Sequence, residues 1–361
     1  MKDNLYSKSL PELEKILADM GEPKFRAKQI RDWLTKGCPD FSLMKNMPAT
    51  LTAKLAESFN PLPTKDHGVL TSTDGATQKF LFKLADGEKI ETALMRTSYG
   101  NSVCISTQAG CAMGCKFCAS GLLGLKRNLS ADEMMSQVLR CQWELRRPRA
   151  GAVTLGQREV YAAPNGDKNQ NDVTHIVIMG TGEPLQNTDA VIEFMKRAHE
   201  ELNIGYRRIT LSTCGIVPEI SKLTEFGAPI SLALSLHAPT DELRKRIMPI
   251  ANKYNIAETL DAAMEFSALS NRQLLIEYTL IGGLNDSTEH AEELAHLLKN
   301  KLVMVNLIPW NAVPEHGWTA TSGNQTHRFQ DILIRAGIHT RIRKERGADI
   351  GSACGQLRAA N

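Results

Sequence analysis

Apolar positions along the chain follow three successive rhythms. From residue 1 to about 60 they recur at helical spacing: Leu10, Leu13, Ile16 and Leu17, then, after the break at Gly21-Glu22-Pro23, Phe25, Ile30, Trp33 and Leu34. A third helix is expected over about 49–58, stopped by Asn60-Pro61. Positions three and four apart share one side of a helix, so this stretch predicts a small helical unit with a single apolar face. From Gly68 to Arg96 the period drops to two: residues 79–84 alternate, Ala85-Asp86-Gly87 turns the chain, and residues 89–95 alternate back. That is the pattern of a β-hairpin leading into a strand at 103–106.

The third rhythm fills the rest. Strand-like runs at 175–179, 208–212, 230–235, 274–279 and 303–308 alternate with helical segments near 188–203, 217–226, 255–269 and 287–300. Ser130-Ala131-Asp132-Glu133 has the form of a capping box and opens another helix reaching about Leu145. Alternating strands and helices with apolar strands predict a parallel sheet, with function gathered at the carboxyl ends of the strands. Counting the strand at 103 there are six such units, two fewer than a closed eight-stranded barrel needs. The expected fold is therefore α/β, a partial (βα)6 TIM-like barrel over 103–340 that is open on one side. A helical domain (1–60) and a β-hairpin extension (61–102) precede it, and a C-terminal tail (341–361) follows. Residues 147–172, with Pro148, Pro164 and the polar run 165–171, read as an inserted surface loop.

Composition narrows the class. With 42% hydrophobic residues among 361 the chain can bury a large core, yet no apolar run is long enough for a membrane span. The first residues also lack the apolar stretch of a signal peptide, so a cytoplasmic location is expected, with no membrane partner. Eight unevenly spaced cysteines do not make a secreted disulfide framework; in a reducing compartment such thiols serve as metal ligands or reactive groups. A net charge of +3 permits nucleic acid without demanding it. Local clusters add support: Arg26, Lys28 and Arg31 on the second helix, Lys126-Arg127, Arg146-Arg147-Pro148-Arg149, Arg207-Arg208, Arg244-Lys245-Arg246 and residues 341–346.

The chemistry concentrates in Cys111-Ala-Met-Gly-Cys115-Lys-Phe-Cys118. Three thiolates on a glycine-loosened loop converge on one metal centre without completing four ligands. Structural zinc normally takes four protein ligands, whereas a [4Fe–4S] cluster on three cysteines keeps one iron open to a substrate. A zinc site made by the three cysteines with His237, in a non-catalytic RNA-binding protein, is the alternative. Past the other strands lie Gly180-Thr181-Gly182-Glu183-Pro184, Ser212-Thr213-Cys214-Gly215, Ser235-Leu236-His237 and residues 306–311, all at the expected mouth. There Glu183 can accept from an amino group and glycine backbone admits a bulky ligand. Glu91, an acid inside the hairpin pattern, reads as facing water.

These motifs, with Ile90-Glu91-Thr92, Cys104 seven residues before Cys111, Asn306–Asn311 and Arg346-Gly-Ala-Asp-Ile-Gly-Ser-Ala-Cys354-Gly-Gln-Leu, resemble the RlmN/Cfr family of radical S-adenosylmethionine RNA adenosine methyltransferases over almost the whole chain. Thr181 stands where that family usually has Met, and the 147–172 loop is longer than expected. The resemblance implies a [4Fe–4S] cluster on Cys111, Cys115 and Cys118, and two S-adenosylmethionines per turnover. One methylates Cys354; the other, bound at the open iron, yields a 5′-deoxyadenosyl radical that activates the S-methyl group for addition to adenine. Glu91 then removes a proton, and Cys104 releases the product by forming a transient disulfide with Cys354. Gly182, Glu183, Ser212, Ser235, Leu236, His237 and Asn311 are implied contacts to S-adenosylmethionine. Cys38, Cys141 and Cys214 match no such role and are read as structural. The implied partners are 23S rRNA, tRNA and an electron donor such as flavodoxin or ferredoxin, with a monomer expected. The resemblance implies methylation at C2 of an adenosine in 23S rRNA and of the adenosine beside the anticodon in tRNAs, with C8 of the adenine as the alternative.

Overall fold

Ser9 caps the first helix by accepting from Glu12 N–H while the Glu12 carboxylate reaches back to Ser9 N–H, leaving Leu13 and Leu17 to face inward. That helix, α1 (Leu10–Asp19), packs with α2 (Arg26–Thr35) and α3 (Ala49–Ser58), and the short strands β1 (Asp3–Asn4) and β2 (Phe59–Asn60) pair at its base. The computed structural model describes residues 2–122, 124–146, 171–311, 313, 317–343, 346–352 and 355–357. The inserted loop expected at 147–172 lies outside the described residues except for Asn171 and Asp172, and so does Cys354.

The period-two region forms β3 (Lys65–Thr71), β4 (Thr77–Lys83), β5 (Lys89–Thr97) and β6 (Gly100–Cys104), an antiparallel meander one strand longer than the expected hairpin. β3 escaped the sequence pattern because every one of its residues is exposed, so nothing in Lys65–Thr71 needs to alternate. After β7 (Gln108–Gly110) and β8 (Leu125–Asn128), which flank the cysteine loop, α4 (Ala131–Arg146) starts at Ser130, whose hydroxyl accepts from Glu133 N–H at 3.2 Å. Then follow β9 (Val173–Ile178), α5 (Thr188–Leu202), β10 (Ile209–Thr213), α6 (Val217–Phe226), β11 (Ser231–Ser235), α7 (Asp241–Ile247), α8 (Ile256–Leu269), β12 (Leu274–Leu280), α9 (Thr288–Leu298), β13 (Val303–Pro309), α10 (Gly323–Arg335) and β14 (His339–Ile342).

One sheet of ten strands joins these parts in the order β14-β13-β12-β11-β10-β9-β6-β5-β4-β3 and does not close on itself. The six expected parallel strands are present, and β14 adds a seventh beside β13. The six expected βα units are all present, and β14, which no α-helix follows among the described residues, lies beyond them; its four residues, His-Thr-Arg-Ile, are too few and too charged to show a strand period. β6 is the seam of the sheet, antiparallel to β5 and parallel to β9. Its register against β9 shifts between Asn101 and Ser102. Next to that shift Gly100 has φ +135°, and a Cβ there would lie 2.2 Å from Thr174 Oγ1, so only glycine fits.

The core runs between sheet and helices, with Val103, Ile176, Leu211, Leu232, Ile276 and Val305 on the strands fully enclosed. Arg140 on α4 ties the N-terminal helices to it, donating to Gly37 O at 3.0 Å and to Asp66 at 3.1 Å. Among the described residues no helix is long and apolar enough to cross a membrane.

Candidate active site

A cavity of about 990 Å³, counting the space open to solvent, lies at the carboxyl ends of the parallel strands. Cys111, Cys115, Cys118, Gly182, Glu183, Ser212, Ser235, His237 and Asn311 all line it. The cysteine loop is held from two sides: Trp310 Nε1–H donates to Phe117 O at 2.9 Å, and Lys116 N–H donates to Ile247 O at 2.9 Å. Burial, more than any other cause, pushes the Cys111 thiol up to about 11 and the Cys115 thiol well above the ordinary range, and the neighbouring cysteines add to both. Thiolates in such surroundings need positive charge in the cavity, which bound metal supplies.

The loop from Gly180 to Pro184 presents an acid already oriented. Glu183 is fully buried and accepts from Thr213 Oγ1 at 2.6 Å, Cys214 N–H at 2.8 Å and Leu185 N–H at 3.0 Å. Burial raises the affinity of this carboxyl for a proton, and the three donors oppose it. Gly182 has φ +111°, and a Cβ there would meet Gln108 Cβ at 2.7 Å and Thr107 Oγ1 at 2.8 Å; glycine is what lets this loop lie flat. Ser212 and Ser235, on neighbouring strand ends, have their hydroxyls 3.3 Å apart.

His237 adopts φ +57°, a left-handed conformation uncommon outside glycine. Asn285 holds it there, donating to His237 O at 2.8 Å and Thr279 O at 2.6 Å and accepting from Ile281 N–H at 2.7 Å. Thr279 N–H donates to His237 Nδ1 at 2.9 Å, so the ring proton is on Nε2. Burial, then the charge of Arg244, pulls the imidazole down to about 3. The ring is a neutral donor at physiological pH, with Phe117 edge-on at 4.6 Å.

Other expected residues lie elsewhere. The Leu236 side chain is enclosed in the hydrophobic core and does not line the cavity, and its N–H donates to Glu277 O. Glu91 is a correction, because it does not face water. It is 3% exposed, outside the cavity lining, with Lys79 Nζ 3.0 Å from its carboxylate. Cys104 sits opposite Ala93 in the sheet and packs against Leu357, with Met179 at the edge of that cluster.

The C-terminal segment folds back over this end of the sheet. Ala119 N–H donates to Gly355 O at 2.8 Å, Ser120 Oγ donates to Leu357 O at 2.7 Å, and Gly355 lines the cavity. No disulfide joins the described cysteines.

Several polar groups escaped sequence reasoning. Glu277 and Arg343 line the cavity; Asn306 Nδ2 donates to Glu277 at 2.8 Å and Arg343 lies 3.6 Å from it. An acid inside the apolar run 274–279 was the available signal. Cys214, read as structural, also lines the cavity. The basic clusters are partly spoken for. Arg244 is fully buried and donates to Cys214 O at 2.7 Å, while Arg127 is clasped by Asp86 and Glu133. Arg244 is therefore structural and not part of an RNA-facing surface, while Arg127, one-third exposed, already has two carboxylate partners.

A model of the Radical SAM superfamily matches residues 167–298, and one of the ribosomal RNA large subunit methyltransferase N-terminal domain matches residues 3–60. The chain is 44% identical over 357 residues to a probable dual-specificity RNA methyltransferase RlmN of Clostridium tetani, covering 98% of this chain and 95% of that one. A relative with the same name from Symbiobacterium thermophilum is 46% identical over 358 residues, covering 97% and 90%. The crystal structure of a radical SAM methyltransferase from Sphaerobacter thermophilus superposes with a TM-score of 0.84 at 41% identity, covering 99% of this chain and all of that one. With three thiols on one loop at the mouth of an open β/α sheet, this is a radical S-adenosylmethionine enzyme.

The helical unit at its start is the second mark, and the chain belongs to the RlmN family of RNA methyltransferases. Enzymes of this superfamily use a [4Fe–4S] cluster and S-adenosylmethionine. The donors fit such a cluster. Among the described residues no three His, Cys, Asp or Glu side chains converge on a single ion, yet the three thiols ring one cavity. A four-iron cluster takes one thiolate per iron, so its ligands surround a volume and do not meet at a point. The zinc alternative fits less well, since His237 Nδ1 is already occupied by a backbone donor.

Proposed function

We propose that this enzyme methylates C2 of an adenosine in 23S rRNA and of the adenosine beside the anticodon in tRNAs, by way of a methyl group carried on Cys354. The observation that carries this reading is the seating of the tail: Gly355 and Leu357, which follow Cys354 in the chain, bond to the cysteine loop and rest on Cys104. When bound, the cluster and S-adenosylmethionine supply a carbon radical, with two S-adenosylmethionines used per turnover. Cys111, Cys115 and Cys118 hold the cluster. Gly182, Glu183, Ser212, Ser235, His237 and Asn311 bind S-adenosylmethionine, with Glu183 facing its amino group and His237 Nε2–H serving as a donor.

In this reading the methylated adenine is tied to Cys354 until Glu91 takes a proton. Cys104 thiolate then attacks the Cys354 sulfur; the new S–S bond replaces the S–C bond, and the departing carbon keeps the bonding electron pair and takes up a proton to become the methyl group of the product. The N-terminal helices dock RNA, the target adenosine is splayed out to reach the cavity mouth, and a small electron-transfer protein reduces the cluster of the monomeric enzyme. Three measurements test this. After anaerobic reconstitution the protein should be brown with about four irons per chain. RNA from a strain lacking it should lose 2-methyladenosine by mass spectrometry, and Cys104→Ala should accumulate enzyme covalently joined to RNA. Unchanged 2-methyladenosine would overturn the assignment, and loss of 8-methyladenosine instead would turn it to C8.

A further inference from the structure

Lys79 is an expensive residue to place where it is. Its side chain on β4 is only 13% exposed, so its ammonium must find partners inside the protein. One is Glu91 on β5, with Nζ 3.0 Å from Oε1; the other is the main-chain carbonyl of Gly351 in the tail, 3.1 Å away. The sheet register puts these groups together. Lys79 pairs with Ala93, Ala93 pairs with Cys104, and Glu91, two residues from Ala93, shares their face. The tail segment is a compact turn with Gly347 and Gly351 in left-handed conformations, and Thr73 N–H donates to Asp349 at 2.8 Å as a second anchor on the same hairpin.

A salt bridge alone would need no tail atom, and a tail anchor alone would need no charge. Lys79 serves both with one ammonium, which has three protons to donate. We propose that Lys79 is a positioning residue that couples the seating of the C-terminal tail to the charge on Glu91. This rests on the reading of Glu91 as the group that accepts the proton in the release step. While Glu91 is a carboxylate it holds Lys79, and Lys79 holds Gly351. When Glu91 takes the proton from the RNA adduct it becomes neutral, and the ion pair with Lys79 is lost. The tail is thereby loosened at the step in which Cys354 must be given up to Cys104.

The test is amide hydrogen exchange of the full-length, cluster-loaded enzyme, read over residues 346–352, for wild type, Lys79→Met and Glu91→Gln. Glu91→Gln is isosteric and mimics the protonated acid. Both variants are expected to exchange faster in this segment by about ten- to a hundredfold, the size of a lost hydrogen bond to a charged group. In turnover Lys79→Met should lower kcat with KM for RNA unchanged, because the tail is then loose before the adduct forms as well as at release, while RNA binding does not use this anchor. Wild-type exchange in Glu91→Gln overturns the proposal, and decides alone if Lys79→Met does not fold. Unaltered release of methylated RNA by Glu91→Gln would instead refute the role of Glu91, whatever the exchange shows.

Discussion

His237 makes the stability of this enzyme depend on pH in a way that one substitution should remove. In the folded chain the imidazole is 4% exposed, its Nδ1 accepts from Thr279 N–H, and its affinity for a proton is depressed to about 3. In the unfolded chain the ordinary value near 6.5 returns. Between those two values the unfolded state binds the extra proton and the native state does not, so stability falls as pH drops below 6.5 and the loss saturates near 3. At pH 4.5, two pH units into this window, the loss assigned to His237 is about 3 kcal/mol. Asparagine is the suitable replacement: it tolerates positive φ, its side-chain oxygen can take the Thr279 N–H, and it does not titrate. Urea unfolding of the reduced, metal-free protein followed by circular dichroism at pH 7.5 and 4.5 measures the effect. Between these pH values His237→Asn should gain about 3 kcal/mol relative to wild type. If the two proteins lose stability in parallel to within about 0.5 kcal/mol, the imidazole is not held neutral and its assignment as an Nε2–H donor fails.

Two further substitutions probe how the site is supported. Asn285→Ala strands His237 O, Thr279 O and Ile281 N–H at once, and should cost on the order of 3 kcal/mol, seen as a lower thermal midpoint. Gly182→Ala places a methyl group against Gln108 and Thr107 at φ +111°; calorimetric titration of the cluster-loaded protein should show S-adenosylmethionine binding weakened at least about tenfold with the fold retained.

The features legible in the sequence are those that local spacing determines. The cysteine motif, the capping box at Ser130 and the strand-end residues need only a few neighbours to be recognised, and all but Leu236 of the expected S-adenosylmethionine contacts line the cavity. Where the sequence misled, a distant segment decided. Glu91 and Lys79 alternate with apolar residues as a water-facing pair would, and are buried in a sheet whose face is covered by a tail more than 250 residues on. Arg244 reads as one of three exposed cations, but the phase of α7 turns it alone among them inward, onto the carbonyls of Cys214, Ser235 and Leu236. Leu236 lies between two cavity residues and turns its own side chain into the core.

In an extended chain, which side a residue serves is a question of odd or even. Cys104 faces the tail and Val103 faces the core because of the count of residues from the start of β6, and that count is reset by the shift between Asn101 and Ser102. One residue more or less before the thiol would hand the tail a valine and bury the thiol among aliphatic side chains. Gly100 is what keeps the arithmetic right, by letting the chain pass against Thr174 where no other residue could. A position with no side chain, four residues from the sulfur, thus decides whether the sulfur meets the tail at all.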